Sequence, residues 1–212
     1  MRSMTAYARA ERLALADDLA TLGPDAPTLC TGWTTRDLAA HIVVRERRPD
    51  AAIGITVPRF SGRTRTVQDR VAARAYATIL ADVRKPPVWS IVSNPLLDEL
   101  VNVSEMFIHH EDVRRAQPGW SPRPLADGLQ AALWRRVRTT ARFGLRKLAA
   151  TVTLDAGGHG TVTVGGGGPR VTAAGDPGEL TMFFSGRQAY ARVELTGDRD
   201  MITRLSGAKL GV

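Results

Sequence analysis

The 212-residue chain has one cysteine, Cys30. A single thiol excludes an internal disulfide and suits a reducing cytoplasm. No flanking pattern marks Cys30 as a nucleophile, so it reads as a structural or incidental thiol. Lysine is almost absent: of 29 cationic residues only Lys85, Lys147 and Lys209 are not Arg. Long apolar runs are missing, so no segment is expected to cross a bilayer and no membrane partner is expected. The first twenty residues are interrupted by charges and lack the apolar core of a signal peptide. Histidine is scarce, with four in the chain. Two of them are adjacent, at 109 and 110.

The chain is rich in arginine, with a net charge of +8 and 43% hydrophobic residues. It is long enough for one large domain or two small ones. A basic chain can attract nucleic acid or acidic ligands. Here the charges are spread over many segments, which reads as a solvated surface. The densest run, Arg135-Arg136-Val137-Arg138 with Arg142 and Arg146, recurs around a helix and interrupts its apolar face. A nucleic-acid-binding module built on it is therefore the weakest of the functional readings.

Glu105 and His109 lie four apart in NVSEMFIHHEDVRRA, which puts them on one helix face a turn apart. His41 stands far upstream in GWTTRDLAAHIVVRE. Two imidazoles and a carboxylate suit a borderline divalent cation such as zinc. Three protein ligands leave a position open for water or substrate. A Glu/His pair at this spacing is also a common surface feature, and His41 alone also reads as a hydrogen-bonded helix residue. Apolar neighbours favour coordination: Leu38, Ile42 and Val43 around His41, and Val101, Phe107 and Ile108 around the pair. Such groups are costly to bury unless paired or coordinated. His110 points about 100° away from the pair and is disfavoured as a ligand. Glu111 and Asp112 read as surface salt bridges with Arg114 and Arg115, or as partners that orient a ligand imidazole.

Periodicity predicts helices over about 5–22, from Thr34 to before Pro49, over 66–84, from Asn94-Pro95 to about 116, and over about 125–148. Thr34 to Asp37 reads as a capping box. Arg59 to Arg65 reads as a loop. Phe143 is among the core candidates of the last of these helices. Beyond residue 150 short apolar segments alternate with Gly: 152–154, 161–164, 170–173 and 191–195 read as strands. Asp176-Pro177 opens a helix and Asp198 caps another. Gly165 to Gly168 reads as a flexible turn, because a phosphate cradle needs a following helix. The expected organisation is α+β: an antiparallel helical bundle over 1–150 and a small α/β domain over 151–212.

The two signature stretches GWTTRDLAAHIVVRE and NVSEMFIHHEDVRRA resemble those of the mycothiol-dependent maleylpyruvate isomerase family. That family belongs to the DinB-like helical metalloprotein superfamily. The tail VELTGDRDMITRLSGAKLGV resembles the small, sterol-carrier-like domain that often accompanies the bundle. The resemblance implies a DinB-like four-helix-type bundle with metal ligands at His41, Glu105 and His109. It implies zinc, mycothiol as thiol cofactor, an electrophilic small-molecule substrate, and isomerisation or S-transfer in the cytoplasm by a monomer or homodimer. Neither the residues nor the resemblance assigns catalytic or thiol-contacting positions, although Arg187 and Arg192 are candidates to close over a pocket. The alternative from a different class is a noncatalytic metal-binding protein whose site stabilises the bundle or senses a metal.

Overall fold

The computed structural model describes residues 4–87, 95–146 and 148–211. The side chains at 95–101 lie outside the description, as does Asn94, the expected cap of the helix that begins at Pro95. The protein mixes helices with a four-stranded sheet. Two compact units, Met1–Ser121 and Pro122–Val212, divide the chain. Among the described helices none is long and apolar enough to cross a membrane.

The first unit is helical: α1 (Met4–Leu22), α2 (Thr35–Arg47), α3 (Pro49–Thr56), α4 (Ser61–Ala72), α5 (Tyr76–Arg84) and α6 (Pro95–Arg114). α2 starts where the sequence places it. The Thr34 N–H and hydroxyl both donate to the Asp37 carboxylate at 2.9 Å, holding the first turn. Leu15 and Leu19 of α1 share a core with Leu38 and Ile42 of α2, Ile79 and Val83 of α5, and Met106 and Val113 of α6. Polar ties fix the helices around this core. Arg12 of α1 donates to Glu46 of α2 at 2.8 Å and to the Val83 carbonyl at 3.1 Å, and both side chains are buried. His110 of α6 meets Glu11 at 2.9 Å and Asp18 at 3.1 Å on α1. Arg45 of α2 donates to Asn102 of α6 at 2.9 Å.

Two expectations for this unit fail. The segment read as a loop over Arg59 to Arg65 passes through a short 3-10 turn, Pro58–Phe60, into α4. Its buried face consists of Thr64, Val67 and Val71, so little apolar periodicity marks it. α3 and α4 approach so closely at Gly54 that a Cβ there would lie 2.1 Å from the Thr64 hydroxyl. The single helix expected over 66–84 is broken after Ala72. Arg36 compensates for the break by donating to the carbonyls of Ala72 and Arg74 at 3.0 and 3.1 Å.

The second unit contains α7 (Asp127–Leu145), β1 (Thr151–Asp155), β2 (Thr161–Val164), β3 (Arg170–Ala174), α8 (Pro177–Phe184), β4 (Glu194–Gly197) and α9 (Arg199–Ser206). The sheet order is β2-β1-β3-β4, with β1 parallel to β3 and the outer pairs antiparallel. Val152, Leu154, Val171 and Ala173 point into a core shared with Val137, Phe183, Met201 and Leu205. The change from helix to strand falls between Leu145 and Thr151, whereas the two compact units divide at Ser121, which leaves α7 with the sheet. Asp198 caps α9 by accepting from the Met201 N–H at 2.9 Å. Phe143, expected in the core, is 67% exposed. The last strand begins at Glu194 rather than Ala191, because the Arg192 N–H is drawn instead to the Glu179 carboxylate at 2.7 Å.

Candidate metal centre

His41 sits two turns into α2, so the capping of Thr34 and Asp37 sets where its ring points. Glu105 and His109 share a face of α6. Their donor atoms and that of His41 lie within 4.8 Å of one another, a group that could hold a metal ion. The Glu105 Oε1 is 3.2 Å from His109 Nε2 and 3.8 Å from His41 Nε2. Donors about 2.0–2.1 Å from a tetrahedral ion stand roughly 3.3 Å apart, which the Glu105–His109 pair matches and the Glu105–His41 pair exceeds. The two imidazoles meet edge to face with centroids 5.2 Å apart. Trp33, just before α2, packs tilted against His41 with ring centroids 5.0 Å apart.

The surroundings tune each group. Burial pushes the His41 pKa down and outweighs the pull of the Glu105 carboxylate, so His41 favours the neutral form that a ligand requires. Burial also pushes the Glu105 carboxyl up. The hydrogen bond from His109 and the nearby His41 imidazole, with the charges of His109 and Arg45, overcome that and hold it well below the usual range. Arg45 Nε stands 3.3 Å from the Glu105 Oε1. His109 goes the other way. Burial opposes its charge, but hydrogen bonds with Asp112, Cys30 and Glu105 raise it well above the ordinary value.

Asp112 is fully buried, and its Oδ2 lies 3.1 Å from His109 Nδ1. It therefore orients a candidate ligand imidazole, one of the two roles its spacing allowed. The surface salt bridge expected of Glu111 is instead interior: fully buried, it pairs with Arg114 at 2.9 Å and Arg115 at 2.6 Å. His110 faces α1 and is no member of either candidate ligand group, as its helical phase predicts. Sequence reasoning missed Cys30, whose Sγ donates to the Asp112 Oδ2 at 3.2 Å. No local pattern announces this contact, because it spans 82 residues and rests on the loop before α2. That loop is tied to α6 where the Leu29 N–H donates to the Asp112 carbonyl at 3.0 Å.

Arg187 and Arg192 belong to the second unit. The Arg187 guanidinium donates to the Ser185 carbonyl at 2.6 Å, and Arg192 is held through its backbone by Glu179. No family model matches the chain, and neither a curated protein nor a solved structure matches it.

Proposed function

We propose that the protein binds a divalent metal, zinc above all, through His41, Glu105 and His109, and uses it to activate a small thiol. The donor set carries this reading: two buried imidazoles and a carboxylate converge within 4.8 Å. One anionic ligand leaves the site with net positive charge, which favours an anionic fourth ligand. The resemblance of the two signature stretches supplies the thiol. In this reading the chain is a DinB-like bundle with a sterol-carrier-like tail, related to the mycothiol-dependent maleylpyruvate isomerases and at work in the cytoplasm.

A bound zinc lowers the pKa of a coordinated thiol so that it reacts as a thiolate. The chain's own residues prepare the site. Asp112 holds the proton of His109 on Nδ1 and leaves Nε2 free to coordinate. Arg45, 3.3 Å from Glu105, adds positive charge beside the site, which favours an anionic ligand. A thiol activated there would be poised to add to an electrophilic substrate, the chemistry that isomerisation or S-transfer requires.

Cobalt-substituted protein tests the reading, since thiolate ligation adds a near-ultraviolet charge-transfer band. Titration with mycothiol should produce the band, and Glu105→Gln should weaken or abolish it. Full metal occupancy with no response to mycothiol or simpler thiols would favour a noncatalytic metal-binding protein.

A further inference from the structure

His109 is flanked by possible ligands on both ring nitrogens. Nε2 faces Glu105 and His41, as described above. Nδ1 faces Asp112 Oδ2 at 3.1 Å, and the same oxygen is 3.2 Å from Cys30 Sγ. Cys30 Sγ, His109 Nδ1 and Asp112 Oδ2 form a second group whose donor atoms all lie within 4.8 Å. An oxygen and a sulfur on one tetrahedral zinc-sized ion stand roughly 3.5 Å apart, and a nitrogen and an oxygen roughly 3.3 Å. The observed separations are close to both. Asp112 is fully buried, whereas Cys30 is partly exposed.

We infer that Cys30, Asp112 and His109 form a second metal seat, selective for cations softer than zinc, that excludes occupation of the first. Exclusion follows from the imidazole itself. Neutral His109 has one nitrogen lone pair to give and one N–H. With an ion at Nε2, the proton is on Nδ1 and is accepted by Asp112. With an ion at Nδ1, the proton is on Nε2 and is accepted by Glu105, 3.2 Å away. Each carboxylate thus ligates in one seat and orients the ring in the other. Coordination at the second seat displaces two protons to solvent, one from the Cys30 thiol and one from His109 Nδ1. Thiolate, carboxylate and neutral imidazole then balance a divalent charge. The first seat has one carboxylate and no sulfur, so softer cations partition to the second.

The seat requires neither His41 nor the proposed reaction, which keeps its test separate from theirs. Metal-free protein is titrated with cadmium in thiol-free buffer while the ultraviolet thiolate-to-cadmium charge-transfer band is recorded. Cys30 is the only cysteine, so any such band reports on it alone. The expected result is a band that saturates at one cadmium per chain and is retained in His41→Ala. Cys30→Ser should lose the band and bind cadmium at least ten-fold more weakly. Cadmium should release zinc one for one from loaded protein. The cadmium-113 chemical shift of the wild type reads sulfur ligation with no variant involved. Stoichiometric cadmium without a sulfur signature would overturn the seat and leave Cys30 as a hydrogen-bond donor to Asp112. Zinc and cadmium held together on one chain would overturn the exclusion.

Discussion

Asp112→Asn isolates what a buried carboxylate does for a metal it does not touch. In wild type Asp112 fixes the His109 tautomer from 3.1 Å and is fully shielded from water. The amide keeps the volume but removes the charge, and it can turn its NH2 toward Nδ1, which favours the wrong tautomer. Partners of this kind change metal affinity by about 10–100-fold, or about 1.4–2.8 kcal/mol. A proton term accompanies this loss. His109 in the metal-free wild type has a raised pKa, so zinc must displace a proton there. Below that pKa, log affinity should climb by about one per pH unit as one proton is released. Without the Asp112 charge the pKa falls, so the climb should end at lower pH in the variant. The deficit is therefore largest at alkaline pH and partly masked at acid pH. Competition with a chromophoric chelator between pH 6 and 9 measures both effects, with circular dichroism to check the fold. Equal affinities for wild type and a folded variant across the series would refute the orienting role.

The remaining predictions concern stability and ligand choice. In metal-free protein His109, with its raised pKa, contributes stability that is full below the ordinary value of 6.5 and lost as pH rises through the folded value. His41, with its lowered pKa, contributes stability that is full above 6.5 and lost as pH falls through the folded value. Urea unfolding after chelation should thus show a summed contribution that peaks near 6.5, and His109→Gln should flatten the alkaline side; an unchanged alkaline slope would contradict this. Arg12→Met leaves Glu46 buried without its cation and should cost about 3–5 kcal/mol, with Arg12→Met/Glu46→Leu recovering much of it; denaturant melts decide, and a loss under about 1 kcal/mol would show that water reaches the pair. His110→Ala should bind zinc as wild type does, yet lose about 1–3 kcal/mol because buried Glu11 loses its contact with the imidazole; metal loss matching that of His109→Ala would show that both imidazoles ligate.

Much of the candidate centre was legible because it depends on local rules. The i, i+4 spacing of Glu105 and His109 and the helix start at Thr34 follow from helix geometry. Beyond residue 150 the Gly-punctuated apolar segments and Asp198 marked the strands and the last cap in the same way. What escaped depends on tertiary context. The break after Ala72 has no Gly or Pro to announce it and relies on Arg36, some 36 residues away, to bond the freed carbonyl. α4 starts within a polar stretch because its short buried face includes a threonine. Phe143 sits at a helical position that looks internal but is exposed. Cys30 reaches Asp112 through a loop-to-helix contact for which local pattern has no counterpart.

The proposed site is a zinc held by His41, Glu105 and His109 with a position open to a thiol. Zinc-edge X-ray absorption on zinc-loaded protein, with and without mycothiol, addresses it most directly. Without thiol, about one zinc per chain is expected in a shell of nitrogen and oxygen only, at about 2.0–2.1 Å. With mycothiol, one sulfur at about 2.3 Å should join the shell. His41→Ala should lose the zinc. A shell that admits no sulfur, or zinc retained unchanged in His41→Ala, would contradict it.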